Sequence, residues 1–155
     1  MSANSIRPAS DSRSALLAIG VGGVVAAALD LTQACVLFGS HIPLAIAGGL
    51  VGRRAFQGGV AYYALGVFLH LFIALLAATI FYAASRKLVF MTQHPLVCGL
   101  LYGIVVELVM SYIVLPLSAL HARGPYDLHD VLVGLGVHMV VIGLPISYSA
   151  RRFGR

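Results

Sequence analysis

Four long apolar segments constrain this chain more than any other feature of its sequence. They cover residues 15–38, 60–84, 96–117 and 131–149. Each is long enough to cross a bilayer, because about 20 apolar residues in a helix span ~30 Å of hydrocarbon. Of the 155 residues, 60% are hydrophobic and 10% are charged, whereas an average soluble domain is roughly 25% charged. The sequence therefore predicts an all-α membrane protein, a four-transmembrane-helix bundle.

The basic residues predict how the bundle is oriented. Four spans place both termini on one side, together with the loop between the second and third spans. That side carries Arg7, Arg13, Arg86, Lys87, Arg151, Arg152 and Arg155, and the other side carries Arg53, Arg54 and Arg123. Since short cytoplasmic loops are enriched in lysine and arginine, we expect both termini to be cytoplasmic.

This topology leaves little chain outside the membrane. We expect residues 1–14, which are rich in serine, to form a disordered cytoplasmic tail, residues 15–149 to form the transmembrane domain, and residues 150–155 to form a short basic cytoplasmic tail. A cleaved signal peptide is a less favoured interpretation of the first span, because its apolar run continues past Asp30 to Phe38.

The two halves of the chain share a pattern. The segments GGVVAAALD and GLLYGIVVE each end in an acid, Asp30 and Glu107, eight residues after their first glycine. The segments LGVFLH and VGLGVH each end in a histidine, His70 and His138, four residues after a glycine. The pattern predicts two similar helical hairpins related by an axis near the membrane normal, as in parallel transporter repeats.

The same four residues share a depth in the membrane. At ~1.5 Å per residue, Asp30, His70, Glu107 and His138 each lie roughly 12–15 Å from the extracytoplasmic end of their span. A small residue lies one turn before each of them, on the face where membrane helices approach closely. We therefore expect a buried polar layer that faces into the bundle. Its face is supported by Ala26, Gln33, Gly66, Gly103, Ser111 and Gly134.

Several roles are open to such a layer. Two acids and two histidines can satisfy one another as a structural lock between helices, because unpaired charges are costly in hydrocarbon. They can also form a proton relay or a pH-responsive site, since a histidine beside a carboxylate can change its charge within the physiological pH range. Less favoured alternatives are a transition metal bound by both residue types, and haem b held between His70 and His138.

Two other segments carry polar residues of interest. The segment GSHIPLAIAGGLVGRRAFQGG is too apolar to be a simple solvated loop, and we expect Arg53 and Arg54 to contact lipid headgroups or an anion. In YDLHD, the cluster of Asp127, His129 and Asp130 could bind a metal weakly, but Asp127 is better interpreted as the N-cap of the fourth span. No nucleophile–base pair or cofactor motif is evident, so an enzyme is the least favoured class.

The second half resembles a known family. HPLVCGLLYGIVVELVMSYIVLPLSAL, followed after a short acidic loop by VLVGLGVHMVVIGLPISYSARRF, is similar to the YagU-like bacterial inner-membrane proteins, and the resemblance covers roughly residues 60–153. The shared features are a glycine-rich third span with a Pro-Leu end, a GxxxH fourth span closed by Arg-Arg, and a histidine in the second span. The resemblance implies a multi-pass inner-membrane protein of no established activity, with His70 and His138 at corresponding positions.

We therefore expect a bacterial inner-membrane protein whose polar layer conducts protons or a small solute, or responds to pH. The alternative is a non-catalytic membrane subunit of a larger complex, with a structural layer. Its expected partners are the lipid bilayer and either further copies of itself or a larger complex. No basic patch interleaved with aromatic residues suggests nucleic acid.

Overall fold

The computed structural model describes residues 9–123 and 127–154, and four of its helices are long and apolar enough to cross a membrane. These spans are Ser12–Phe38, Val60–Lys87, Pro95–Leu117 and Leu128–Phe153, which we number one to four. All four lie where the sequence predicts them, and each extends beyond the predicted apolar segment at one or both ends. Span two runs to Lys87 and span four to Phe153 because Ser85, Arg86 and Arg152 continue the helix beyond its apolar part.

The secondary structure of the described residues consists of helices and short connections, with no strand. The α-helices are Ala9–Phe38, Ile42–Val51, Val60–Lys87, Phe90–Gln93, Pro95–Val109, Leu115–Leu117, Leu128–Val137 and Leu144–Phe153. A 3₁₀ helix covers Gly52–Gln57, and π-helical segments cover Met110–Val114 and His138–Gly143. The first helix begins at Ala9, so residues 9–14, predicted as tail, are helical; no glycine or proline interrupts them. Residues 1–8, the rest of that tail, lie outside the described residues, as does Arg155.

The spans pack side by side in the order two, one, four, three. Ser149 Oγ donates a hydrogen bond of 2.9 Å to the Ala18 carbonyl, which joins the start of span one to the end of span four. Arg86 donates to the Gly154 carbonyl at 3.1 Å, which brings the end of span two to the same place. We call this the terminal end of the bundle, and the opposite end, with the segments 39–59 and 118–123, the loop end.

The core lies towards the terminal end. Phe81 and Ile146 are fully buried there, and the Phe81 ring meets Tyr102 of span three edge-on at 5.0 Å between ring centres. The Tyr102 hydroxyl donates a 2.7 Å hydrogen bond to the Ala77 carbonyl, which ties spans two and three together. Towards the loop end these two spans separate. An open cleft lies between them there, lined by aliphatic side chains of both.

Spans three and four approach each other at the level of the backbone. A Cβ atom on Gly103 would overlap the backbone of His138 and Met139, and one on Gly143 would overlap the backbone of Gly99. Glycine is required at these positions because the two backbones touch there, as in small-xxx-small membrane interfaces. The contact lies one turn from Glu107 and next to His138, so it sets the distance between the two side chains.

Gly103→Ala should therefore destabilise the bundle by roughly 1–3 kcal/mol, the usual cost of overpacking a close contact. The matched control is Gly136→Ala in span four, whose new methyl group would meet no atom within 4 Å. It should leave stability unchanged or raise it slightly, since alanine is the better helix former. Thermal unfolding in detergent measures both, and equal effects would contradict the backbone contact.

Candidate functional site

Glu107 and His138 form a close acid–histidine pair between spans three and four. Nδ1 of His138 lies 3.0 Å from Glu107 Oε2 and 3.0 Å from the carbonyl oxygen of Gly134, one turn earlier on its own helix. The second carboxylate oxygen, Oε1, accepts a 2.8 Å hydrogen bond from the Ser111 hydroxyl. Both oxygens of this buried carboxylate are thus engaged, while Nε2 of His138 has no partner among the described residues.

Both helices that carry this pair change to π-helical geometry at it. In span three the π segment begins three residues after Glu107, and in span four it begins at His138 itself. Each segment is followed within two residues by a proline, Pro116 or Pro145. A proline within a helix lacks a backbone donor and clashes with the preceding turn, so it favours such local unwinding. Sequence reasoning missed these segments, although the two prolines were a signal for them.

Asp30 and His70 form a second and looser pair, between spans one and two. Nε2 of His70 lies 3.6 Å from Asp30 Oδ2, which is an ion-pair distance but too long for a hydrogen bond. The same nitrogen lies 3.2 Å from the Ala27 carbonyl oxygen, which it can reach as a donor. The Asp30 side chain is 13% exposed and the His70 side chain 15%, so this pair is also largely buried.

The four predicted layer residues are thus brought together as two acid–histidine pairs, one within each hairpin of the chain. Each hairpin supplies one acid and one histidine, which is the arrangement that a repeat would produce.

The predicted supporting residues lie in different surroundings. Ala26 is fully buried, Gly103 contacts the backbone of span four, and Gly134 faces the Glu107 carboxylate. Gly66 faces Pro43 of the helix Ile42–Val51 instead of another span. Gln33 is half-buried, and its side chain makes no hydrogen bond with residues 12–123 or 127–154.

The histidine nitrogens define what the pairs could bind. Bis-histidine ligation of a haem needs one free nitrogen from each of two facing rings. Nε2 of His70 is directed at Asp30 and Ala27, which leaves only Nδ1 of that ring for a ligand. Among the described residues, the layer does not bring three ligand atoms within 4.8 Å of one another. The geometry therefore gives the metal and haem alternatives no further support.

The exposed cluster Asp127, His129 and Asp130 does meet that distance. However, the backbone N–H of His129 donates a 3.1 Å hydrogen bond to Asp127 Oδ2, which confirms Asp127 as the N-cap of span four. Capping thus accounts for Asp127. Gly124, Pro125 and Tyr126, just before it, lie outside the described residues.

Arg53 and Arg54 lie in the 3₁₀ helix at the loop end, and both side chains are exposed. No acidic side chain within the described residues forms an ion pair with either of them. Their charge is therefore free to meet an anion outside the chain.

The sequence matches no protein-family model, and comparison with curated proteins and with solved structures finds no similar chain. The resemblance to the YagU-like proteins stays a prediction.

The two pairs should differ in strength. A double-mutant cycle with Glu107→Gln and His138→Gln should give a coupling energy of about 1–2 kcal/mol, at the upper end for polar contacts between membrane helices. The same cycle with Asp30→Asn and His70→Gln should give a smaller value, because that pair is 0.6 Å longer (3.6 minus 3.0 Å). Unfolding free energies in detergent measure both cycles, and a larger Asp30–His70 coupling would contradict the structure.

Proposed function

We propose that this protein is a pH-responsive protein of the bacterial inner membrane, in which the Glu107–His138 pair takes up and releases a proton. The observation that carries the proposal is the 3.0 Å distance between His138 Nδ1 and Glu107 Oε2 inside the bundle. A base and an acid in direct contact can exchange a proton without any other group. Ionisable residues within membrane spans commonly mark such proton sites.

The two nitrogens of His138 give this exchange a direction. In the neutral ring, Nδ1 carries the proton, shared between Glu107 and the Gly134 carbonyl, and Nε2 accepts a second one. The imidazolium formed at that point is stabilised by the Glu107 carboxylate. If Nδ1 then gives its proton to Glu107, the ring returns to the neutral state, and one proton has crossed it.

The π-helical segments provide a way for this change to alter the fold. They begin at His138 and three residues after Glu107, and π segments inside α-helices are frequent at functional sites. A change in the charge of His138 acts at the first residue of one segment. The same change of charge acts on span three through Glu107. Ser111 donates a hydrogen bond to Glu107 and lies within the π segment of that span.

The proposal predicts that His138 titrates while the protein remains folded. In protein with ¹⁵N-labelled histidine, the ring nitrogens of His138 should change protonation state within the pH range in which the protein stays folded. Glu107→Gln, which removes the counter-charge but keeps the side-chain length, should move the midpoint of this titration. Nuclear magnetic resonance of the protein in lipid measures both.

Leu76→Ala, on an exposed face of span two, is the control and should leave the titration unchanged. A His138 ring that keeps one protonation state over the whole range would overturn the proposal. Proton flux into vesicles that contain the wild type, and its loss with Glu107→Gln, would extend the proposal from pH sensing to proton conduction.

A second candidate function is that of a non-catalytic membrane subunit, in a homo-oligomer or a larger complex, with the two pairs as structural locks. It is favoured by one observation: within the described residues, no fully buried side-chain nitrogen or oxygen lacks a hydrogen-bond partner. A layer satisfied in this way can fix helix register without any change of charge. The titration separates the two candidates, because a lock needs no change in protonation.

The orientation is part of the same proposal, with the terminal end cytoplasmic and the loop end extracytoplasmic. In a background with Cys35 and Cys98 replaced by alanine, a cysteine at exposed Gln57 should react with an impermeant thiol reagent in intact cells. A cysteine at exposed Gln93, on the terminal side, should react only after the cells are lysed. The reverse pattern of labelling would invert the topology.

A further inference from the structure

An apolar cleft of about 640 Å³ opens at the loop end, between the helix Ile42–Val51, span two and span three. We call that helix the loop helix. Aliphatic side chains from all three elements line the cleft, among them Ile46, Leu50, Leu69, Ile73, Met110 and Val114. The Ser118 side chain also lines the cleft, but its hydroxyl already donates a 2.7 Å hydrogen bond to the Leu115 carbonyl. The cleft therefore suits a hydrocarbon chain and offers no free side-chain donor to a polar ligand.

The cleft is held open by contacts of the loop helix. At one end of this helix, Pro43 lies against Gly66 of span two so closely that any Cβ atom there would overlap its carbonyl group. Near the other end, the Gly49 carbonyl accepts a 2.8 Å hydrogen bond from the backbone N–H of Ala119, beyond span three. The loop helix thus bridges the two spans where they separate, and the space beneath it is left unfilled by the chain.

Positive charge follows the cleft directly along the chain. Leu50 lines the cleft, the loop helix ends one residue later, and Gly52, with a φ of 75°, turns the chain into the 3₁₀ helix that carries Arg53 and Arg54. Both arginines are exposed and unpaired with acids of the described chain. Guanidinium groups bind phosphate oxygens through two parallel hydrogen bonds, so this position favours an anionic phosphate group.

From these features we propose that the cleft binds an anionic phospholipid, with one acyl chain under the loop helix and the phosphate at Arg53 and Arg54. The two parts of the site match the two parts of such a lipid, an apolar chain joined to a negatively charged headgroup. The lipid bilayer around the spans supplies the ligand. The arginines supply the preference for a negatively charged headgroup, which the apolar lining alone cannot do.

The chain contains no tryptophan, so a single introduced tryptophan reports its own surroundings. Leu50→Trp places the reporter at the cleft, where the native side chain is 60% exposed, and Leu76→Trp places a control on span two, where it is 49% exposed. Each variant is reconstituted in phosphatidylcholine vesicles that contain a small mole fraction of brominated lipid. The brominated lipid is either phosphatidylglycerol or phosphatidylcholine.

Bromine atoms quench tryptophan fluorescence on contact. At the cleft, brominated phosphatidylglycerol should be effective at about a tenfold lower mole fraction than brominated phosphatidylcholine, because each arginine near a membrane surface favours an anionic lipid several-fold. At Leu76→Trp the two brominated lipids should quench equally. Adding Arg53→Gln and Arg54→Gln to the Leu50→Trp variant should remove the preference without changing thermal stability, since both side chains are exposed.

Gly49→Leu tests the acyl-chain half of the site. A Cβ at this position would make an ordinary contact of 3.8 Å with Ser118, so a leucine here projects into the cleft without backbone strain and should also abolish the preference. Equal quenching by both lipids at Leu50→Trp would overturn the proposal. If both brominated lipids quench Leu50→Trp only weakly, the proposal is also overturned. That result would mean that a second protein chain, and not lipid, covers the cleft. A preference that survives the arginine variants would refute the headgroup assignment.

Discussion

The pairing of ionisable groups inside hydrocarbon is the interaction on which this structure depends. An isolated carboxylate at the centre of a membrane helix costs several kcal/mol, so Glu107 can lie between spans three and four only if a partner meets it. His138 is that partner at 3.0 Å, and Ser111 engages the remaining oxygen. The contact requires the two helix backbones to approach closely. The glycines at 103 and 134 make room for it, the first against the backbone and the second against the carboxylate.

Both pairs place a carboxylate beside a histidine inside the bundle, but they differ in distance and in the geometry of their helices. Glu107 and His138 are in direct contact at a site where both helices are π-helical, whereas Asp30 and His70 stay 3.6 Å apart on two regular helices. The prolines that follow the π segments occur in spans three and four, while spans one and two contain none. A change of charge therefore acts on π-helical backbone at one pair and on regular α-helix at the other, which is why the proposed proton site is assigned to Glu107 and His138.

Hydropathy and helical spacing were enough to predict the four spans, the polar residue in each, and the small residue one turn before it. They could not predict which acid meets which histidine, because that depends on the order two, one, four, three in which the spans pack. The glycine at 66 shows the same limit: its spacing to His70 predicts a contact between spans, but the loop helix occupies that face. Hydropathy also measures the apolar part of a helix and not its length, so the helices continue beyond the predicted apolar segments, to Lys87 and Phe153.

The cleft at the loop end lies next to the two acid–histidine pairs along spans two and three. Spans two and three are tied at the terminal end by Phe81 and Tyr102 and separate towards the loop end. Leu69 and Met110, on the walls of the cleft, directly precede His70 and Ser111 in the chain. An acyl chain between these walls would oppose any movement that closes the cleft, and Met110 also begins the π segment of span three. The bound lipid would then act on the same backbone segment as the charge of Glu107, so lipid binding and proton uptake would be energetically linked through span three.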